Sequence, residues 1–491
     1  MSQHLRGWVR RMALVALGAL VLSACSNVVD GAPSVGNAPD AQLSVKGDSN
    51  GSFDRTVKNS LSDIESFWKT SFPKVSGGKQ LTPLKGGLYS VDGLKVAQTK
   101  RVDGPASQNQ CAQRRPSFVV DNGAFCLLDD SIAWDRAPSH LFAQLADKYG
   151  GLVAGLIFAH EYGHAISYRL GVFDRHDLRT IDTESQADCA AGAWAASALK
   201  GQEPHFRDVT PKKIDDALEG FLNGRDKTPT TEQDISHGNG FDRLSAVADG
   251  IARGVTYCFS KDYFASRTYT ERPFTSQQDL QSGGNTPLAE VVKTAGTNFF
   301  VSDLNRFWTG AAKSIGKTFQ PVKIAEAAHP KCDSAGTSSF GYCADDNTVY
   351  FDKSFALRAY NSLPAVKGDQ DTGNITLLND QPGDFALGVL FSIGWGMAVR
   401  NQLFNRSQDD GPALTAAICY SGSYAKDINI AQGSPQAQGK TFVLSPADLD
   451  EATSSMLGVV GQKTSFGARG TSGLDRIQAF VKGYKGGLSV C

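Results

Sequence analysis

The strongest constraint on the fold of this chain is an internal duplication, which is found when the sequence is compared with itself. Four segments of the first half recur in the same order in the second half, with four cysteines in register. The matched segments are residues 62–68 with 302–308, 126–135 with 343–352, 209–211 with 444–446, and 241–244 with 474–477. Colinear matches of this kind predict two tandem modules that share one mixed α+β fold.

The cysteines of the repeated region predict four disulfide bonds, two in each module. Four cysteines allow three pairings within a module. We favour the pairing that closes a short loop before a strand and ties a helix to the end of the module. The favoured pairs are Cys111–Cys126, Cys189–Cys258, Cys332–Cys343 and Cys419–Cys491. Disulfides persist in oxidising compartments, so this cysteine usage favours an exported protein.

Residues 1–25 have the pattern of a lipoprotein signal peptide. Arginines precede an apolar run, residues 12–22, which is shorter than the roughly 20 residues that span a bilayer. The run ends in Leu22-Ser23-Ala24-Cys25, which resembles a bacterial lipobox, in which the cysteine is lipidated and becomes the N-terminus. We therefore expect a lipid anchor at Cys25, on the extracytoplasmic face of the cell membrane. The alternative is an ordinary signal peptide with an incidental cysteine.

Composition divides the remaining chain into four parts. Residues 26–55 are rich in Gly, Ser, Asn and Asp, and this composition predicts a flexible tether. The first module then covers residues 56–260, and the degenerate second module covers residues 291–491. The polar stretch between them, residues 261–290, is predicted to be a linker.

Local patterning places secondary structure within these modules. Phe125 and residues 132–134 are typical of short β-strands. Residues 151–170 are apolar and lack proline, which predicts a buried helix, and the Ala-rich residues 184–199 predict a second helix with Asp182 and Thr183 as capping candidates. Thr210 followed by Pro211 is typical of a helix start. In the second module, residues 385–399 are too few to span a membrane and predict a core helix.

The charge balance excludes one broad class of partner. The chain has 49 Lys and Arg against 50 Asp and Glu, so its formal net charge is −1. A chain with no excess of basic residues has no general electrostatic attraction to nucleic acid, and we expect no nucleic-acid partner.

The chemistry is predicted to lie in the first module, at His160-Glu161-Tyr162-Gly163-His164. This is an H-E-x-x-H motif in a chain that has only eight histidines in 491 residues. Residues four apart share one face of a helix, so His160 and His164 can bind the same metal ion. Glu161 lies beside them and can act as the general base that takes a proton from a zinc-activated water.

A catalytic zinc ion takes three protein ligands and keeps one position open. Glu184 begins the next predicted helix, twenty residues after His164, and is the expected third ligand. Asp188 lies one helical turn further on the same face. We expect Asp188 to bond the other ring nitrogen of a ligand histidine and so to fix its orientation. The prediction is one zinc ion per chain, in the first module.

These residues carry a family resemblance. Phe125-Cys126, residues 132–135, the H-E-x-x-H motif and residues 184–194 together resemble the bacterial neutral zinc metallopeptidases, in the form of an actinobacterial lipoprotein. The H-E-x-x-H…E-x-x-x-D spacing is also that of the thermolysin-like gluzincins. The resemblance covers about residues 56–260 and implies a zincin-like fold, zinc and peptide-bond hydrolysis. The chain departs from the family at Ala165, where a further histidine is common, and in its second module.

His237 is a further candidate for the catalytic site. A histidine that reaches the cleft from a later segment could stabilise the oxyanion of the tetrahedral intermediate. The family has a similar His-Gly followed by Arg, and here His237-Gly238 precedes Arg243. A solvent-exposed loop histidine is the alternative.

The second module serves as an internal control. Alignment of the repeats places an apolar residue or a glycine opposite every predicted zinc-site residue, while the cysteines and the Asp-Arg pair remain. The residues opposite His160, Glu161, His164, Glu184, Asp188 and His237 are Ile393, Gly394, Met397, Leu414, Ile418 and Gly470. We therefore expect two zincin-like modules, of which the second is a pseudo-peptidase without a metal site.

The sequence thus predicts a membrane-anchored, extracytoplasmic zinc metallopeptidase that acts on a peptide or protein substrate. The strand at residues 132–135 is expected to border the cleft, where an extended peptide could add as a further strand. One alternative is a non-enzymatic zinc-binding lipoprotein that acts as a scaffold or binding protein. Another is a hydrolase of cell-wall amide bonds. The oligomeric state, the cleavage specificity and the natural substrate are not indicated by any motif.

Overall fold

The structure is a computed structural model. It describes residues 38–226, 237–274, 277–361, 365–369, 374–378, 383–408, 411–430, 433–458 and 471–491. The predicted signal peptide and its Cys25 lie outside the described residues. Within the described part of the chain, no helix combines the length and the apolar character needed to cross a bilayer.

The first half combines a small sheet with a group of helices. Its strands are β1 (Val45–Lys46), β2 (Gly87–Val91), β3 (Gly123–Cys126) and β4 (Ser131–Asp135). Its helices are α1 (Ser52–Val75), α2 (Gly93–Thr99), α3 (Gln110–Arg114), α4 (Leu141–Tyr149), α5 (Gly151–Arg169), α6 (Thr180–Leu199), α7 (Pro211–Phe221), α8 (Gly240–Cys258) and α9 (Asp262–Ala265).

The sheet has the order β1-β2-β4-β3. Strand β4 runs parallel to β2 on one side and antiparallel to β3 on the other. Strand β3 is therefore one of the two edge strands, and the expectation that residues 132–135 border the cleft is wrong. Both sides of β4 are already paired, so no further strand can add to it. The sequence pattern predicted strand structure at Phe125 and residues 132–134, but it could not order the strands of the sheet.

Three helices of the first half begin or end close to where the sequence predicts. Helix α5 is apolar on nearly all sides and is buried along almost its whole length, which is the environment that a helix without a polar face requires. Thr210 caps α7 by accepting the Lys213 backbone N–H, and Pro211 is the first helical residue. Helix α6 starts at Thr180, four residues earlier than predicted, because the Asp182 carboxylate accepts the Arg179 N–H from inside the first turn.

The second half repeats this order of elements. Its strands are β5 (Lys323–Glu326), β6 (Phe340–Cys343) and β7 (Thr348–Phe351), followed by a hairpin of β8 (Ala365–Asp369) and β9 (Asn374–Leu378). Its helices are α12 (Phe299–Ser314), α13 (Lys353–Tyr360), α14 (Asp384–Phe404), α15 (Ala413–Ile428), α16 (Asp448–Leu457) and α17 (Gly473–Gly486). Strand β7 lies between β5, which is parallel to it, and β6, which is antiparallel, as β4 lies between β2 and β3.

Glycines at three helix contacts recur in both halves and explain why the copies pack alike. A Cβ built on Gly192 would lie 2.1 Å from the Val247 carbonyl oxygen, and one on Gly422 would lie 2.1 Å from that of Phe480. Only glycine permits so close an approach of two helix backbones. The equivalent pairs are Gly163 with Gly396, Gly192 with Gly422, and Gly250 with Gly483.

All four favoured disulfides are confirmed. The bond Cys111–Cys126 ties α3 to β3, and the bond Cys332–Cys343 ties a loop to β6. The bonds Cys189–Cys258 and Cys419–Cys491 tie α6 and α15 to the end of each half.

Two predicted flexible segments are partly structured. The fold begins inside the predicted tether 26–55, since β1 pairs with β2 and α1 starts at Ser52 with Phe53 buried. Its Gly, Ser, Asn and Asp residues act there as turn and cap residues. The predicted linker 261–290 contains α9, α10 (Gln277–Ser282) and α11 (Leu288–Val291). It is held to the first half because the buried Asp242 carboxylate accepts the backbone N–H groups of Thr270 and Glu271.

The described residues of both halves belong to one compact unit. Helices α7 and α8 of the first half pack against α16 and α17 of the second. Helix α7 is equivalent to α16 in the repeat, and α8 is equivalent to α17, so both halves contribute the same pair of helices to this contact.

Candidate metal centre

Helices α5 and α6 bring three predicted ligands together. His160 and His164 lie one turn apart on α5, and Glu184 lies in the first turns of α6, which packs against α5. The two Nε2 atoms are 3.1 Å apart, and Glu184 Oε2 lies 3.1 Å from His160 Nε2 and 3.4 Å from His164 Nε2. Three donor atoms thus face a single point, and the three residues form a group that could hold a metal ion.

The spacing of these atoms fits a tetrahedral ion of the size of zinc. In a tetrahedral zinc site with bonds of about 2.0–2.1 Å, the donor atoms lie about 3.3 Å apart. The three measured separations are 3.1, 3.1 and 3.4 Å. Glu184 Oε2 is buried and has no hydrogen-bond partner within the described residues, and two imidazole nitrogens face each other at hydrogen-bond distance. A cation between the three atoms satisfies all of them.

Asp188 orients the first of these ligands. Its Oδ1 lies 2.7 Å from His160 Nδ1, so the Nδ1–H donates to the carboxylate, while Nε2 faces His164 and Glu184. Asp188 is fully buried, and Arg243 on α8 donates to both of its oxygens, at 3.0 and 2.8 Å. The residue therefore lies where the sequence predicts, although its partner Arg243 was not predicted.

The electrostatics of the site favour a cation. Burial by itself lowers the pKa of His160, but the carboxylates of Asp188, Glu184 and Glu161 outweigh it and raise the pKa to about 10. Burial raises the pKa of Glu184, yet the two histidines hold it well below its usual value. The three carboxylates thus favour a proton on His160, and a divalent cation can take the place of that proton.

Glu161 lies beside this group and is held by the edge strand. Its Oε2 accepts the backbone N–H of Phe125 at 2.8 Å, and its Oε1 is 3.9 Å from His160 Nε2. The outer edge of β3 therefore faces the metal group, on the side that β4 does not occupy. A general base needs this closeness to the point where a substrate reacts.

A cleft of about 240 Å³ opens over these residues. It is lined by the three predicted ligands and Glu161, and by residues of β3, α4 and α7 together with His237. The apolar part of its lining is formed by Phe125, Phe142, Leu145, Ile157 and Phe221. One wall of the cleft is a strand edge, so the cleft suits an extended chain.

The structure places His237 in the lining of this cleft. Its Nδ1 lies 3.1 Å from the Asp226 carboxylate, which also accepts the Gly238 N–H. The His237 side chain is 51% exposed. Partial desolvation in the cleft lowers its pKa, while Asp226 and Glu184 raise it more, so the net shift is upward. The predicted His237 is thus brought to the same cleft as the predicted ligands.

Arg243 is the site residue that sequence reasoning missed. The Asp-Arg pair occurs in both repeats, so it was taken as part of the scaffold. In the first half the guanidinium bonds Asp188, whereas the equivalent Arg476 donates to the main-chain carbonyls of Met456, Leu457 and Thr471. The sequence did contain a signal for this difference. The residue that aligns with Asp188 in the second half is Ile418, so Arg476 has no carboxylate at the position where Arg243 has one.

The second half has apolar residues at the equivalent positions. Ile393, Met397, Leu414 and Ile418 are all buried, and a Cβ on Gly394 would meet the Val349 side chain at 2.7 Å. Gly470, opposite His237, lies outside the described residues. In the described part of the second half, these positions offer no metal ligand, and the core is filled by aliphatic side chains instead.

Two other groups of side chains have the composition of metal ligands. In Asp121, Asp135 and His140, the Asp135 carboxylate already accepts the N–H groups of Gly93 and Ala137 as well as His140 Nδ1, which is typical of a structural network. The other group is Asp384, Asp448 and Glu451, which is buried in the second half.

The comparisons with known proteins give similarity but no assigned family. The chain is 36% identical over 107 residues to uncharacterised proteins of Mycobacterium bovis and of two strains of Mycobacterium tuberculosis. The match covers 19% of this chain and 36% of each relative, so the chain spans about a third of the length of the relatives it matches. No family model matches the chain, and no solved structure matches it.

Proposed function

We propose that this protein is a zinc metallopeptidase whose active site lies in the first half of the chain. One observation carries the proposal. Three donor atoms from His160, His164 and Glu184 converge at 3.1–3.4 Å, with Glu161 adjacent and a strand edge alongside. A structural zinc site closes its fourth position with a protein ligand and needs no neighbouring base. Here the neighbouring group is a carboxylate that opens into a cleft.

The first half would bind zinc through His160 and His164 Nε2 and Glu184 Oε2. When bound, zinc would polarise the scissile carbonyl and lower the pKa of the attacking water. Asp188 keeps His160 in the tautomer that presents Nε2, and Arg243 fixes Asp188.

Glu161 would move the proton. It takes a proton from water as the oxygen adds to the carbonyl carbon, and it gives that proton to the amide nitrogen as the C–N bond breaks. The hydrogen bond from Phe125 N–H holds one carboxylate oxygen in place and leaves the other on the cleft side. His237 would donate a hydrogen bond to the developing oxyanion, and Asp226 favours its charged form.

The substrate would be an extended peptide laid along β3. This strand is one edge of the sheet, and the backbone N–H of Phe125 on its outer side bonds Glu161 beside the predicted ligands. A peptide that adds as a further strand gains main-chain hydrogen bonds that do not depend on its sequence, while the apolar cleft residues select side chains. The lipobox-like Cys25 suggests that this reaction takes place on the extracytoplasmic face of the membrane.

A peptide library and a metal analysis test the proposal. The protein lacking residues 1–25 is incubated with zinc and an unbiased peptide library, and cleavage sites are read by mass spectrometry, with Glu161→Gln as the matched control. We expect one zinc ion per chain in both proteins and cleavage by the parent protein alone. Equal cleavage by the Glu161→Gln variant would refute the role of Glu161. Zinc binding without cleavage would favour the alternative of a non-enzymatic zinc-binding scaffold protein. Cleavage of peptidoglycan fragments alone would favour a cell-wall amide hydrolase.

A further inference from the structure

Where α7 and α8 pack against α16 and α17, each half contributes one carboxylate that accepts backbone N–H groups of the other half. Asp450 on α16 of the second half accepts the backbone N–H of Phe241 at 3.0 Å, in the first turn of α8. Its other oxygen lies 3.2 Å from Arg225 Nε, and the two side chains are only 18% and 21% exposed. Asn239 is the N-cap residue of α8, and Asp450 therefore supplies a further acceptor at the N-terminus of this helix in the other half and neutralises a cation beside it.

The same contact occurs in the opposite direction. Asp215 on α7 of the first half accepts the N–H groups of Gly473 and Leu474, at 2.5 and 2.9 Å, in the first turn of α17. Asp215 and Asp450 occupy equivalent positions of the repeat, as do Gly240 and Gly473. A Cβ on either glycine would lie within 3.2 Å of the carboxylate, so a larger residue at either position would crowd this contact.

The arginines on these two helices, α8 and α17, have different partners. Helix α8 carries Arg243, which donates to both oxygens of Asp188, and Asp188 bonds His160. Helix α17 carries the equivalent Arg476, which donates to main-chain carbonyls and reaches no metal group. Of the two reciprocal contacts, the one made by Asp450 is the contact connected to the metal centre.

Two series of contacts connect Asp450 with Arg243. One is the start of α8, since Phe241 is two residues from Arg243. The other is the segment that ends α7, where Arg225 pairs with Asp450 and the neighbouring Gly224 carbonyl accepts Arg243 Nη1. Both series of contacts fix the arginine from the side opposite Asp188. Asp226, the carboxylate that holds His237, follows directly in the same segment.

We propose that Asp450 of the second half is a positioning residue for the metal centre of the first half. The second half then has a function of its own, because its carboxylate fixes the helix and the loop that hold Arg243, and through Arg243 and Asp188 it fixes His160. This inference rests on the proposed function, since it requires a metal at His160. It gives the metal-free copy a reason to keep Asp450 while its own metal ligands are replaced.

The chain supplies a matched control for this proposal. Asp450→Ala removes the acceptor and the ion partner on the side of the metal centre, and Asp215→Ala removes the equivalent acceptor on the other side. Asp450→Asn keeps an acceptor for the Phe241 N–H, because asparagine has a side-chain carbonyl oxygen. The three variants are compared with the parent protein by zinc affinity, from competition with a chromophoric chelator, and by the melting temperature of the zinc-free protein.

We expect both alanine variants to lower the melting temperature of the zinc-free protein, but only Asp450→Ala to weaken zinc binding. Loss of a direct partner of a metal ligand typically costs 10–100-fold in affinity, and Asp450 acts at a greater distance, so about a 3- to 10-fold loss is expected. Asp450→Asn should recover most of that loss.

Two results would overturn the inference in distinguishable ways. Equal zinc affinity in Asp450→Ala and Asp215→Ala would reduce Asp450 to a contact that stabilises the interface alone, and the proposed function would stand. A parent protein that binds no zinc would remove the proposed function and this inference together.

Discussion

Substitution of Asp188 by asparagine tests the role of the carboxylate that bonds and orients His160. The Asp188 side chain is 0% exposed and bonds His160 Nδ1 at 2.7 Å, and it is the ion partner of Arg243, which is 5% exposed. Removal of one member of a buried ion pair costs about 3–5 kcal/mol, because the other charge is left buried and unpaired. We expect a value near the lower limit, about 3 kcal/mol, since the asparagine oxygen still accepts one N–H.

This free energy converts into a measurable change in melting temperature. A folded unit of roughly 400 residues has an unfolding entropy of about 0.8 kcal/mol per kelvin, so a loss of about 3 kcal/mol lowers the melting temperature by about 4 °C. Zinc affinity should fall about 10- to 100-fold, because His160 loses the anionic acceptor that fixes its tautomer. Calorimetry of the zinc-free protein measures the first quantity, and competition with a chelator measures the second.

Asp63→Asn is the matched control. Asp63 is also buried in the first half and bonds His205 Nδ1 at 2.7 Å, without any contact to the metal ligands. This variant should lower the melting temperature and leave zinc affinity unchanged. Parent-like zinc affinity in Asp188→Asn, or an equal loss in Asp63→Asn, would refute the role assigned to Asp188.

Three further predictions concern ligation, pH and packing. His164→Ala should remove stoichiometric zinc, as metal analysis would show; full retention would contradict the ligand set. Burial and the neighbouring Asp226 and Asp450 raise the pKa of Glu271 to about 9. This value exceeds the unfolded value of about 4.3, so stability is lost as pH rises between them, by up to about 1.4 kcal/mol per unit. Glu271→Gln should therefore melt higher than the parent at pH 8 by a margin that shrinks at pH 5; a constant margin would argue against the shift. Gly192→Ala places a Cβ 2.1 Å from the Val247 carbonyl and should cost about 1–3 kcal/mol of stability in chemical denaturation, and no loss would show that α6 and α8 can separate freely.

The sequence predicted those parts of the site that depend on helical spacing. His160 and His164 share a face of α5 because they are four residues apart, and Asp188 follows Glu184 at the same interval on α6. The cysteines in register predicted the disulfides for a similar reason, since the two copies constrain each other. Such features need only local geometry and a comparison of the chain with itself.

Other features depend on contacts that are distant in the sequence and were not predictable in this way. The order of the strands decides that β3, and not β4, faces the cleft, and strand order is set by the packing of the whole sheet. The fold also begins earlier than the tether 26–55 suggests, because a two-residue strand is too short to have a periodic pattern.

The duplication separates the requirements of the fold from those of the site, and Arg243 shows where this separation fails. Glycines at helix contacts and disulfides occur in both halves because both halves pack alike, whereas the predicted ligands His160, His164 and Glu184 have no equivalent at the matching described positions of the second half. By this criterion Arg243 belongs to the fold, since Arg476 repeats it. Yet Arg476 is satisfied by carbonyl oxygens, while Arg243 binds the carboxylate that orients His160. A residue retained in both copies can therefore have a structural role in one and a functional role in the other, and only its partner distinguishes them.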